Sequence, residues 1–285
     1  MSRIGVIGGS GIYNIEGLKN RRSQRLSTPF GEPSDEFVIG KLINREVVFL
    51  PRHGKGHRIL PSELNYRANI FGMKKLGVER IISISAVGSL KKNLKPLDIV
   101  IPDQFVDRTN QARKTTFFGE GIAAHISFAE PVCHQLCEIL YKAGEKSGAT
   151  IHKGGTYINI EGPAFSTKAE SFLYRKWGMD VVGMTNMVEA KLAREAEICF
   201  ATLAMVTDYD CWHTSEESVS VEIIVQNLMK NSEMAKDIIK NAVRDIPEKR
   251  NCSCATSLKD AIITAKDVIP DSVKKKLDVI VGKYL

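Results

Sequence analysis

The sequence predicts an α/β fold: one domain, with a mixed central sheet flanked by helices. Three observations carry that expectation. Apolar runs without polar alternation recur at residues 198–206, 80–90 and 3–7, a pattern that suits strands covered on both faces. Each run stops in glycine, small or acidic residues, and in α/β sheets ligands bind where such strands stop. No break in composition marks a linker in 285 residues of which 43% are hydrophobic and 26% charged, an ordinary globular balance. The expected organisation is one domain over 1–285 with a helical extension at about 251–285.

The run at 198–206 is read as the central strand, because it ends in Thr207-Asp208-Tyr209-Asp210-Cys211-Trp212, two carboxylates two residues apart. Acids at the end of a buried strand are placed for chemistry. The same pair also fits a solvated turn, and this stretch alone leaves both readings open.

In chain order, a short buried strand at 3–7 leads into Gly8-Gly9-Ser10-Gly11, where backbone N–H groups and one hydroxyl can converge on an anion. The spacing is not G-x-G-x-x-G, and no strand ending in an acid follows about 20 residues later, which argues against a dinucleotide site. Residues 36–40 and 46–51 read as a hairpin leading into Arg52-His53-Gly54-Lys55-Gly56-His57-Arg58. There Arg52 can grip a phosphate with two N–H groups and His53 can donate a hydrogen bond to it. A helix over 61–76 carries Asn65, Tyr66 and Asn69, which suit loop or subunit packing. The strand at 80–90 brings Ser85 and Ala86 toward the same anion, and residues 98–109 form a fourth strand and a long irregular loop reaching His125.

After a helix over about 131–147, a strand at 155–160 runs into Glu161-Gly162-Pro163-Ala164-Phe165-Ser166-Thr167. Phe165 is either a purine stacker or a core residue, and Ser166 or Thr167 caps the next helix. A short strand then ends in Met184-Thr185, and a helix through 189–195 returns to the central strand.

Net charge is +7, but the basic clusters at 19–22, 91–92 and 274–276 are short and lack interleaved aromatics, so nucleic acid is not an expected partner. No segment is apolar enough for a signal peptide or a membrane span, so no membrane association and a cytoplasmic location are expected. The six cysteines form no paired C-x-x-C units, so no metal site is expected, and they are either buried thiols or disulfides.

Gly8 to Gly11, Arg52-His53-Gly54, Asn65-Tyr66-Arg67-Ala68-Asn69, Gly88-Ser89-Leu90, Asp103-Gln104-Phe105, Asp107-Arg108-Thr109, Glu161-Gly162-Pro163, Met184-Thr185 and the stretch from Thr207 to Trp212 together resemble the methylthioadenosine phosphorylase branch of the purine nucleoside phosphorylase family. The resemblance covers about the first 245 residues. It implies phosphorolysis of S-methyl-5'-thioadenosine to adenine and 5-methylthioribose 1-phosphate, with inorganic phosphate as co-substrate and no metal or organic cofactor. By position, Ser10, Arg52, His53, Ser85, Ala86 and Thr185 match the phosphate site, Met184 the residue beneath the ribose, and Phe165 the purine neighbour. Asp208 and Asp210 match the pair that reads the base, with Asp208 catalytic, and Val221 and Ile224 match the lining of the methylthio pocket. His125 matches a residue reaching into a neighbouring subunit's site, which implies a homotrimer or a dimer of trimers. Ser10 stands where many relatives carry Thr, and Met187-Val188-Glu189 lacks the proline usual before that Glu. A 6-oxopurine or broad-specificity nucleoside phosphorylase is the alternative within enzymes, and a non-catalytic nucleoside-binding regulator the alternative outside them.

The chemistry accounts for these residue types independently. Breaking an N-glycosidic bond builds positive charge on the sugar and negative charge on the departing base, so an anion is needed on one side and a proton donor on the other. An aspartate at the end of an apolar strand has its acid form favoured by desolvation. A second carboxylate accepts from an exocyclic amine and repels a 6-oxo oxygen, which favours adenine.

Overall fold

The computed structural model describes residues 3–9, 12, 14–110, 112–213 and 221–285, without the side chains of 221–224. Its strands are β1 (Arg3–Gly8), β2 (Lys19–Gln24), β3 (Phe37–Leu42), β4 (Arg45–Pro51), β5 (Val78–Ser89), β6 (Ile99–Ile101), β7 (Gln104–Arg108), β8 (Ile151–Lys153), β9 (Thr156–Ile160), β10 (Val181–Gly183) and β11 (Cys199–Tyr209). They form one mixed sheet in the order β2-β3-β4-β1-β5-β10-β9-β7, with β11 beside β5 and β6, and β8 beyond β6. The helices are α1 (Tyr66–Lys75), α2 (His134–Lys146), α3 (Lys168–Lys176), α4 (Asn186–Glu195), α5 (Val221–Asp245), α6 (Asp271–Lys276) and α7 (Asp278–Val281).

β11 is buried from Cys199 through Thr207, as its apolar run requires, and it lies parallel to β5 along nearly its whole length. One apolar layer packs α2 and α5 on the sheet through Leu136, Leu140, Ile238 and Val243, against Ile82, Ile84 and Met205. The opposite layer packs α1 and α4 through Ile70, Met73, Val188 and Leu192, against Ile7, Ile81 and Phe200. Covering both faces leaves the strand ends as the place where a polar site can open.

Three expectations need correction. The helix expected over 61–76 begins only at Tyr66, because Asn65 serves as its N-cap, its side-chain oxygen accepting from Ala68 N at 3.2 Å. The one strand expected within 98–109 is two, β6 and β7, and β7 pairs in parallel with β9 at the sheet edge, so the irregular stretch starts after Arg108. The extension expected to be helical at about 251–285 is α-helical only in two short helices, α6 and α7, which meet at Leu277. Val273, Leu277, Ile280 and Val281 nonetheless join the core beside α1, so the tail is part of the packed domain.

Of the two readings left open for the cysteines, the structure has thiols. All six are free thiols, and although the sequence shows no paired ligand unit, the sulfurs of Cys133, Cys199, Cys252 and Cys254 lie within 4.8 Å of one another. Among the described residues, no helix is long and apolar enough to cross a membrane.

Candidate active site

One cavity of about 610 Å³ opens at the ends of β4, β5, β9, β10 and β11. Arg52, His53, Ser85, Ala86, Phe165, Met184, Thr185, Asp208 and Asp210 all line it. His125 does not: it borders a separate cavity of about 480 Å³ with Ser127, Ala129, Glu130 and Arg194. Ser10 lies outside the described residues, as do the side chains of Val221 and Ile224, although both residues belong to α5. Val225 and Leu228, one turn further along α5, reach the cavity.

At one end of the cavity the guanidinium of Arg52 is buried where β4 stops beside β1, the Arg52 amide donating to Gly8 O at 2.8 Å. Arg52 Nε and Nη2 donate to the two oxygens of Glu189 at 2.5 and 3.0 Å, Nη2 also donates to Ser83 Oγ at 2.6 Å, and Nη1 to Ile84 O at 2.7 Å. Burial works to lower the pKa of Arg52, and the Glu189 carboxylate more than offsets it, so the guanidinium stays charged. Ser83 uses its whole hydrogen-bonding capacity, accepting from Arg52 and from Asn186 Nδ2 and donating to Glu189 Oε2 at 2.7 Å. A buried polar network therefore ties β4, β5 and α4 together behind the cavity wall.

Because Glu189 neutralises Arg52 locally, the anion-binding capacity rests largely on neutral donors. Thr185 occupies the N-cap position of α4 with its side chain making no cap hydrogen bond, which leaves its hydroxyl open to an anion, while the Met187 amide in the first turn donates to Asn159 Oδ1 at 3.1 Å. Ser85 lies beside Tyr157, their hydroxyls 3.1 Å apart. His53 Nδ1 is 2.8 Å from Ile59 O, and since a carbonyl only accepts, Nδ1 carries the proton. Burial first, and then the charge of Arg52, depress the His53 pKa to about 4, so the ring is neutral and its Nε2 is an acceptor. The donor role expected of His53 therefore requires it to take up a proton; in the neutral ring Nε2 can receive a phosphate O–H instead.

At the other end, the pairing of β11 with β5 slips between Val206 and Asp208, Val206 facing Val87 and Asp208 facing Gly88. Such an extra residue re-aims the side chains that follow it. Asn227 and Asn231 of α5 pin the bulge by donating to Thr207 O at 2.7 Å and Val206 O at 2.9 Å. Burial raises the Asp208 carboxyl to about 6, against a hydrogen bond from the Thr207 hydroxyl at 2.6 Å and with a further push from Asp210. Asp210 is only 6% exposed and also raised by burial, which removes the solvated-turn reading. Its Oδ2 meets no partner in good hydrogen-bond geometry among the described residues, although the buried hydroxyls of Ser171 and Ser166 lie close enough to oppose part of the effect of burial. Phe165 is 63% exposed on the cavity rim, not in the core. Thr167, and not Ser166, caps α3, in a capping box with Glu170.

Several contributors escaped the sequence reading. Arg113, from the irregular loop, is buried; its Nε donates to Glu161 Oε1 at 2.9 Å, and its other nitrogens donate to the carbonyls of Glu161 and Met184. It thus clamps the Phe165 loop to the strand end that carries Met184. Glu189, Ser83 and Asn186 were also missed; the one signal available was an acid set among apolar residues early in a helix.

A mixed α/β sheet with Arg52, Thr185 and Asp208 lining one cavity at its strand ends is matched by the phosphorylase superfamily model over residues 3–244, which shows that the chain belongs to that superfamily of enzymes. Within it, the chain is 61% identical over 282 residues to the S-methyl-5'-thioadenosine phosphorylase of Geobacter sulfurreducens, covering 99% of each chain. It is 58% identical over 283 residues to that of Koribacter versatilis, covering 99% of this chain and 97% of the relative. Both matches include the C-terminal tail, so the likeness runs beyond the first 245 or so residues. A crystal structure of methylthioadenosine phosphorylase from an antarctic soil metagenomic library superposes with a TM-score of 0.94 at 50% identity, covering 98% of each chain. An adenosine/methylthioadenosine phosphorylase double mutant from Schistosoma mansoni, in complex with adenine, superposes at 0.84 with 36% identity, over 91% of this chain and 96% of its own.

Proposed function

We propose that the protein catalyses phosphorolysis of S-methyl-5'-thioadenosine, giving adenine and 5-methylthioribose 1-phosphate. The observation that carries this reading is that Arg52 and Asp208 open onto one cavity, with an oxyanion cradle at one side and a partly protonated acid at the other. Phosphate is held by the hydroxyls of Ser85 and Thr185 and the guanidinium edge of Arg52. The ribose rests on Met184, and the base stacks against Phe165. As the C–N bond lengthens, the anomeric carbon gains positive charge, which the phosphate anion beneath it stabilises before bonding to it. The electron pair goes to the purine, and Asp208 gives its proton to the imidazole nitrogen of the leaving base.

Asp210 Oδ2 is a buried acceptor, matched by the 6-amino group of adenine and repelled by the oxygen of a 6-oxopurine. Val225 and Leu228 supply an apolar wall suited to a methylthio group. The reaction uses inorganic phosphate as co-substrate, and this reading calls on no metal or organic cofactor in the chemical step. Since His125 lies away from its own chain's cavity, this reading places it at a neighbour's site in a homotrimer, or a dimer of trimers, as the family resemblance implies. Free thiols and a cytosolic pool of phosphate suit the cytoplasm. Parallel assays with methylthioadenosine, adenosine and inosine test the assignment. The reading expects methylthioadenosine to have the highest kcat/KM; faster turnover of inosine would favour the 6-oxopurine enzyme, and binding without turnover the regulator.

A further inference from the structure

Away from the nucleoside cavity, the fold assembles four thiols from three distant places in the chain. Cys133 precedes α2, Cys199 opens β11, and Cys252 and Cys254 flank Ser253 in the tail. Their sulfurs lie within 4.8 Å of one another, with Cys199 and Cys252 at 3.4 Å, and Cys133, Cys199 and Cys254 are buried. Cys199 and Asp208 stand at opposite ends of β11, about 30 Å apart at the usual rise of a strand, so the cluster takes no part in the reaction proposed above.

We propose that these four cysteines form a tetrathiolate site for a single zinc ion that fastens the C-terminal tail to the sheet. Tetrahedral zinc with Zn–S bonds of about 2.3 Å sets its sulfurs about 3.8 Å apart. With one pair at 3.4 Å and none beyond 4.8 Å, the sulfurs reach that geometry by shifts of less than about 1 Å. Four sulfur donors and no oxygen select a soft ion over magnesium, calcium or manganese. Iron–sulfur clusters spread their cysteines over several irons, which asks for a wider cage than this one. Binding exchanges four S–H bonds for four Zn–S bonds and releases four protons, with no change of oxidation state. The resulting dianionic centre has cationic neighbours: buried Arg80 is the cross-strand partner of Cys199, and Arg250 lies two residues before Cys252. Leu136, Leu140 and Ala201 belong to the same apolar layer as the thiols and shield the site from water.

The zinc would close a link between the start of α2, the start of β11 and the tail that supplies Leu258, Ala261 and Val273 to the opposite layer. Metal analysis of full-length protein purified with reductant should find stoichiometric zinc. After removal of the zinc by chelation, titration with cobalt(II) should produce the visible bands of a tetrahedral cobalt thiolate at one ion per chain. A Cys252→Ser, Cys254→Ser double variant should lose the zinc and show a lower thermal midpoint with kcat unchanged. Because the cobalt titration uses the native chain, it decides the matter even if that variant does not fold. Four freely alkylated thiols that take up neither zinc nor cobalt would overturn the proposal. So would a mass short of four hydrogens with no bound metal, the mark of two disulfides.

Discussion

Arg52 and Glu189 meet side by side, Nε to Oε1 at 2.5 Å and Nη2 to Oε2 at 3.0 Å, with their side chains 4% and 2% exposed. A charge buried this far needs its partner, and breaking such a pair from one side typically costs about 3–5 kcal/mol. Glu189→Gln is therefore expected to lower stability by about 3 kcal/mol, measured by denaturant unfolding. The proposed phosphate position lies beside the released guanidinium, so phosphate should raise the thermal midpoint of the variant more than that of the parent. Equal shifts in the two proteins would contradict the placement of phosphate against Arg52.

Asp208→Asn keeps the shape of the cavity and removes the donated proton. Loss of a positioned general acid typically lowers kcat by about 10²- to 10⁴-fold, and steady-state kinetics on methylthioadenosine should show a drop in that range with little change in KM. Near-native turnover would remove Asp208 from the chemistry.

The pH dependence follows from the direction of the Asp208 shift. Burial keeps the acid form to about 6, so the limb of kcat/KM that depends on it should fall as pH rises through that value. Asp210 contributes a smaller push in the same direction, so Asp210→Asn should move the limb to lower pH. A limb that stays in place would mean that the two carboxylates do not sense each other.

His53 carries the opposite sign. Its folded pKa, about 4, lies below the ordinary 6.5, so between those values the unfolded chain binds more protons than the folded one. The stability linked to neutral His53 is complete above about 6.5 and is lost as pH falls through about 4. His53→Gln should flatten that part of the acid unfolding profile, followed by circular dichroism. A profile identical to the parent's would show that His53 is solvated.

Phe165 offers a test of base binding that leaves the core untouched, since its ring is 63% exposed. Stacking of this kind is worth about 0.5–1.5 kcal/mol, so Phe165→Ala should raise KM for methylthioadenosine about 2- to 13-fold. The thermal midpoint should not move; a marked fall would return Phe165 to a packing role.

Much of this arrangement is legible in the sequence because it is local. β1, β4, β5 and β11 announce themselves as apolar runs, and the residues where those runs stop, such as Arg52 just past β4 and Asp208 near the end of β11, become site residues by that position alone. What escaped is whatever depends on partners far away in the chain. Glu189 looks like any helix acid until Arg52, 137 residues earlier, is set against it. Arg113 sits in an irregular loop with no periodicity, and its clamp on Glu161 and Met184 exists only in three dimensions. The strand slip at Thr207 leaves no mark on composition, yet it aims Asp208. The cysteines show the same limit: spacing along the chain says nothing about sulfurs gathered from α2, β11 and the tail.

The account stands on phosphate attacking the sugar while a buried acid protonates the base, and omitting phosphate tests that most directly. With methylthioadenosine and phosphate present, adenine and 5-methylthioribose 1-phosphate should appear in equal amounts; without phosphate, adenine release should stop. Undiminished release yielding free 5-methylthioribose would mean that water is the nucleophile and that the cradle around Arg52 serves some other purpose.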